Sequence, residues 1–166
     1  KLLIASGAPV DGRNEQRNTP LITAAEGGYR DSFSLLLQAG AEPDLRDNNG
    51  RTALLYAAGT SDFEMVRELL IAGASPHTTD KSGNTALHTA AAKGVPETVR
   101  LLLTSGTYVD STNSQGETPY VLTYENEKHG TAIREILEIA GAKVSEPVAA
   151  ADAAAEAQSN PANPAP

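Results

Sequence analysis

A period of 33 residues constrains this chain more than any other feature of its sequence. Thr19, Thr52, Thr85 and Thr118 follow one another at intervals of 33, and each opens a similar stretch: Thr19-Pro20-Leu21, Thr52-Ala53-Leu54, Thr85-Ala86-Leu87 and Thr118-Pro119-Tyr120. Gly7, Gly40, Gly73 and Gly106 keep the same interval of 33. Two independent markers on one period describe a stack of supersecondary units, so chain length counts units and does not measure one compact core. Composition agrees: 4% of residues are aromatic, and the apolar content is mostly alanine and leucine, which suits closely packed helices.

The unit can be read physically. Asp47-Asn48-Asn49-Gly50 has the residues of a type I turn, Asp first and Gly last, and the pattern returns as Asp80-Lys81-Ser82-Gly83 and Asn113-Ser114-Gln115-Gly116. Two residues after each turn a threonine is placed to cap a helix. Pro20 and Pro119 then stand at the helix start, where proline is tolerated best. This first helix is short and carries paired alanines, Ala24-Ala25, Ala57-Ala58 and Ala90-Ala91, small enough to let a neighbouring helix come close. A second helix presents an apolar stripe, Met65, Val66, Leu69 and Leu70 in one frame and Ala132, Ile133, Ile136 and Leu137 in another. Gly73 ends it at the C′ position, whose left-handed backbone penalises a Cβ. Two such helices cannot bury their apolar faces alone. The expected fold is therefore all-α, a solenoid of stacked helix-turn-helix units with β-hairpin-like finger turns.

This pattern resembles the ankyrin repeat family, whose 33-residue unit is a turn and a helix pair built around a Thr-Pro-Leu-His signature. The resemblance covers residues 1 to about 145. The histidine survives in Thr85-Ala86-Leu87-His88, with Ile22, Leu55 and Val121 in its place elsewhere. The frames divide the chain at 17–49, 50–82 and 83–115, followed by a C-terminal capping repeat at 116–144. Residues 1–16 read as the second helix and exit of a truncated repeat, which implies more chain upstream of Lys1. Residues 145–166 read as an Ala/Pro-rich tail, a marginal helix and then disorder. In the fourth frame Tyr124 replaces the second alanine, and Gly141 falls 23 residues after Thr118 in place of 21, so extra residues lie between Glu125 and Gly130. Arg17 stands where the other turns have Gly50, Gly83 and Gly116, which predicts a first finger that bends differently.

Several classes of chemistry are disfavoured. The absence of cysteine excludes disulfide scaffolds, cysteine-ligated zinc and cysteine nucleophiles. A net charge of −8 without any basic cluster argues against nucleic acid or anionic lipid as partner, and no apolar run reaches the roughly 20 residues of a membrane span. Three of the acidic charges, Glu146, Asp152 and Glu156, lie in the tail, leaving the repeats mildly acidic. His77, His88 and His129 have no ligand spacing on one helix face, so no metal is expected. The resemblance assigns His88 a structural role between adjacent turns, while His77 and His129 read as exposed. Asp80, Ser82 and His88 could be imagined as a triad, but Asp80 and Ser82 belong to the repeated turn. Phosphate loops, nucleophile elbows and dinucleotide motifs are lacking, and neither an enzyme nor a cofactor is predicted.

Binding remains. By resemblance, partners lie on the concave face made by turns and first helices. The variable positions there are Glu15, Gln16, Asn18 and Glu26 in the first frame, then Asn48, Asn49, Arg51 and Tyr56 in the second. The third contributes Lys81, Ser82, Asn84, Thr89 and Lys93, and the fourth Ser114, Gln115 and Glu117. Tyr56 and Arg51 stand out as residue types enriched in interface hot spots. The expected function is a monomeric, non-enzymatic scaffold that binds another protein. The alternative is a regulatory, inhibitory or immunity-type portion of a longer protein or toxin-neutralising complex. The alanine-proline tail is bacterial in character and leaves periplasm and cytoplasm both open.

Overall fold

The computed structural model describes residues 9–126 and 128–144. The helix expected at the start of residues 1–16 falls largely outside the described residues, and the 145–166 tail wholly so. The helices are α1 (Pro20–Gly27), α2 (Arg30–Gln38), α3 (Ala53–Ala57), α4 (Phe63–Ile71), α5 (Ala86–Lys93), α6 (Pro96–Thr104), α7 (Pro119–Leu122) and α8 (Gly130–Ile139), with a 3-10 turn at Thr123–Glu125 after α7. Each odd-numbered helix packs on the following even one. Odd helices also stack on odd and even on even, which gives a two-layer, all-α solenoid.

The inner helices begin where the threonines predict. Thr19 Oγ1 accepts from the Ile22 amide at 3.2 Å and Thr118 Oγ1 from Val121 at 3.4 Å. Thr85 goes further, because its amide also donates to His88 Nδ1 at 3.2 Å, closing a reciprocal cap. Thr52 departs from the expectation: its backbone has the extended capping conformation, but its hydroxyl is buried without a partner. Conformation and packing hold α3 in place of the missing bond.

The paired alanines are all buried, as are Leu21, Leu54 and Leu87, the leucines that follow the caps. Phe33, Met65, Val66, Leu69, Val99 and Leu102 fill the layer between inner and outer helices. Two members of the expected stripes fall outside it. Leu70 is half-buried at the stripe's margin, and Ala132 is exposed. The extra residues before α8 shift its stripe, so Ile133, Ile136 and Leu137 face inward and Ala132 does not. Gly73 is left-handed at φ +91°, with its own amide bonded to Leu70 O at 3.1 Å and the Ala74 amide to Leu69 O at 2.9 Å. Those two bonds satisfy the last carbonyls of α4.

In the fourth pair, Thr123 is buried and Tyr124 exposed where earlier pairs have two alanines. The Arg134 guanidinium lies 4.5 Å over the Tyr124 ring and donates to Thr123 Oγ1 at 3.2 Å, covering this end of the inner layer. Asn126 Oδ1 accepts from the His129 amide at 2.9 Å and seats the start of α8; His129 is half-buried there, not exposed as expected.

Candidate partner-binding site

The fingers are built from one side chain each. Asp47 Oδ1 accepts from the amides of Asn49 and Arg51 at 2.7 and 2.8 Å. Asp80 Oδ1 accepts from Ser82 and Asn84, both at 2.9 Å, and Asn113 Oδ1 from Gln115 and Glu117 at 3.0 and 2.9 Å. A backbone bond closes each finger like a hairpin, from Asp47 N to Arg51 O at 3.0 Å, Asp80 N to Asn84 O at 3.0 Å and Asn113 N to Glu117 O at 2.9 Å. No strand forms among the described residues. Successive fingers are each joined by one backbone bond, Asn48 N to Gln16 O at 2.9 Å, Lys81 N to Asn49 O at 2.9 Å and Ser114 N to Ser82 O at 2.8 Å, and side-chain bonds from Asn48 to Glu15 O at 3.2 Å and from Asn113 Nδ2 to Asn84 Oδ1 at 3.0 Å add to it. The backbone row is thereby fixed while the side chains of Asn48, Asn49, Lys81, Ser82, Ser114 and Gln115 stay exposed.

The first finger does not bend differently. Asn14 Oδ1 accepts from Gln16 and Asn18 at 3.0 and 2.9 Å, and Arg17 takes the left-handed conformation at φ +62°. Its amide reaches Asn14 O at 2.8 Å, as Gly50 N reaches Asp47 O at 3.1 Å. Left-handed backbone costs an L-residue energy but is not forbidden, and these three bonds, with a fourth from Asn14 N to Asn18 O at 3.1 Å, hold Arg17 there.

Between fingers and inner helices lie two clefts, of about 350 and 300 Å³. Of the expected contact residues, Arg51, Ser82, Asn84, Thr89, Lys93, Gln115 and Glu117 line the first, and Arg51, Tyr56, Thr89 and Lys93 the second. Glu26 closes the second cleft at its first-unit end. Asn48, Asn49, Lys81 and Ser114 are not part of either lining and remain finger-tip residues. The clefts also use Leu55, Gly59, Thr60, Ala92 and Leu122, which the sequence reading passed over. Leu122 had a signal: it stands 33 residues after Thr89, as Thr89 stands 33 after Tyr56.

The family model for ankyrin repeats, in three copies, matches residues 1–80 and 56–147. The chain belongs to the ankyrin repeat family. Ankyrin repeats generally mediate protein–protein interaction and are typically non-enzymatic scaffolds. No curated protein matches this sequence.

Within this ankyrin fold, polar groups near the clefts are already committed to structure. Thr85 N–H points at His88 Nδ1, so that nitrogen carries the lone pair and Nε2–H donates to Glu117 O at 3.1 Å. Burial holds the imidazole below its ordinary range, although the Glu117 carbonyl and the Asp80 charge pull the other way. His88 is thus a neutral link between the third unit and the fourth finger. Tyr56 O–H donates to Asp47 Oδ2 at 2.8 Å; burial, that bond and the carboxylate's charge raise its pKa. The Arg51 guanidinium sits 5.5 Å over the Tyr56 ring, with Nε 3.7 Å from Asp80 Oδ2. No set of three potential metal ligands occurs among the described residues, and no helix there is long and apolar enough to cross a membrane.

Proposed function

We propose that this chain is a monomeric, non-enzymatic scaffold that binds another protein through its fingers and inner-helix face. The proposed contact set is Asn48, Asn49, Arg51, Tyr56, Lys81, Ser82, Asn84, Thr89, Lys93, Ser114, Gln115 and Glu117, carried on repeats at 17–49, 50–82, 83–115 and 116–144. What supports this reading is that eight of these twelve side chains line two clefts that share Arg51, Thr89 and Lys93. Residues from three units thereby form one surface, as a partner spanning several repeats requires.

Site-specific photo-cross-linking tests the face. A benzophenone side chain at Ser82, on a finger, should capture a discrete partner from source-cell lysate, whereas the same group at Arg100 on α6 should not. Arg51→Ala combined with Tyr56→Ala and Lys81→Ala should abolish capture at Ser82. Cross-links confined to Arg100, or capture indifferent to the triple substitution, would contradict the assigned face.

A further inference from the structure

We infer that the cleft between the second and third units receives an acidic side chain of an extended partner segment, flanked in that segment by basic residues. The inference rests on the binding reading above and adds the chemistry of what is bound. Arg51 and Lys93 line both clefts. Among the side chains the structure describes, which do not include that of Glu125, no carboxylate lies within ion-pairing distance of Lys93. A Cβ on Gly59 would stand 3.5 Å from Lys93 Cγ and 3.3 Å from Thr89 Cγ2, so the lysine stem is laid over bare backbone. Its charged end is what remains for a ligand.

The Arg51 charge is only partly answered. Its neighbour Asp80 is 3.7 Å away, has a side chain 7% exposed, and already accepts from the Ser82 and Asn84 amides. Leu55, the Tyr56 ring and Gly59 give the cleft an apolar floor, which strengthens an ion pair formed above it relative to one in open water. Two cations over such a floor call for a carboxylate.

The flanks carry the opposite sign. Glu26 lines the 300 Å³ cleft from the first unit, and Glu117 lines the 350 Å³ cleft from the fourth. Along the stack the charges therefore run negative, positive, positive, negative. Packed helices lie about 8–10 Å apart and an extended chain advances about 3.3 Å per residue, so each unit spans about three partner residues. The complementary segment has a central Asp or Glu with Lys or Arg about four or five residues to either side. A C-terminal carboxylate would leave one of the two glutamates unmatched, which favours an internal acidic side chain. Because the chain as a whole is acidic, recognition depends on this local pair of cations and not on general attraction.

Selection of a random dodecapeptide phage library on the immobilised full chain tests this. Enriched peptides should share one acidic position with basic residues on both sides, and selection on Lys93→Glu should replace the acid at that position by Lys or Arg. For a synthetic selected peptide, fluorescence anisotropy should show affinity falling about tenfold or more on Lys93→Glu or on changing the peptide's central Glu to Gln. Amidating the peptide's C-terminus should change nothing. Circular dichroism should show Lys93→Glu folded, with a melt only slightly below the parent's, since Lys93 is exposed but lies in the last turn of α5. Peptides lacking an acidic position, an acidic preference that survives Lys93→Glu, loss on amidation, or no enrichment would each overturn the inference. Partner capture at Ser82 alongside any of these results would leave the scaffold reading standing and remove only the acid-recognition step.

Discussion

Arg17 occupies a conformation that the other three fingers give to glycine, and the arginine is retained because the Asn14 side chain and the turn's own amides fix the backbone around it. Left-handed geometry costs an L-residue about 1–2 kcal/mol, while glycine loses about 0.5–1 kcal/mol more conformational freedom on folding. Arg17→Gly should therefore stabilise the fold by about 0.5–1 kcal/mol, seen as a higher urea midpoint; a lower midpoint would mean that the arginine side chain contributes packing of its own. His88 makes a pH prediction. Its pKa in the folded chain lies below the ordinary 6.5, so the unfolded chain binds the proton more readily. Its contribution is complete above pH 6.5 and is lost as pH falls through 6.5 towards the folded value. Protonating Nδ1 would set an N–H against the Thr85 N–H. His88→Gln, which cannot titrate, should lose less stability than the parent between pH 7.5 and 5.0, whereas parallel losses would contradict the buried neutral imidazole. Both residues were visible in the sequence, but unequally. His88 sits in a recognisable signature, whereas the identity of Arg17 suggests a new bend where the surrounding hydrogen bonds impose the common one.

At the scale of elements, a second ladder runs through the segments that leave the outer helices. Asp11 Oδ1 accepts from the Glu42 amide at 3.2 Å, Asp44 Oδ1 from Ser75 at 3.0 Å and Asp110 Oδ1 from Lys143 at 2.9 Å. His77 holds the equivalent place, 33 residues after Asp44, and instead lays its ring 4.6 Å from that of Tyr108. Asp44→Ala should cost about 1 kcal/mol or more by leaving the half-buried Ser75 amide unpaired, and His77→Ala less than half of that; chemical denaturation of the two variants decides, and equal losses would reject the ladder. Packing gives a parallel contrast within one residue type. Leu102, fully buried in α6, should cost roughly 2–5 kcal/mol as alanine, and Leu70, half-buried on α4, distinctly less. The helix pairs, the caps and the glycine exits were legible because each depends on residues close in sequence. The ladder is equally periodic, but an Asp in an exit segment has no local motif to mark it. Which face Leu70 and Ala132 present, and whether Thr52 finds a bond, depend on neighbouring units and on the extra residues before α8.

For the whole molecule, stability is carried by interfaces between successive units, so it should vary along the stack and not be uniform. Helices α3 to α6 have described neighbours on both sides in their layers, whereas the last inner helix, α7, is four residues long and is followed by a 3-10 turn that carries the exposed Tyr124. The same dependence on neighbours explains why the clefts were only half readable: their members lie on different units and meet through stacking, as Arg51 meets Lys93 and Gly59 meets Thr89. Native-state hydrogen exchange can measure how far that coupling reaches. Amides within α3 to α6 should exchange at least about tenfold more slowly than those of α7 and α8. Leu102→Ala should then lower protection strongly in α6 and in α4, α5 and α8, which pack directly on it, and weakly in α1 and α2, two interfaces away. An equal loss in every helix would mean that the described units open as one cooperative block, and a partner bound across the clefts could then stabilise the entire stack through any single unit. A graded loss would mean that it stabilises chiefly the units it touches, leaving the last pair free to open while the second and third remain clamped.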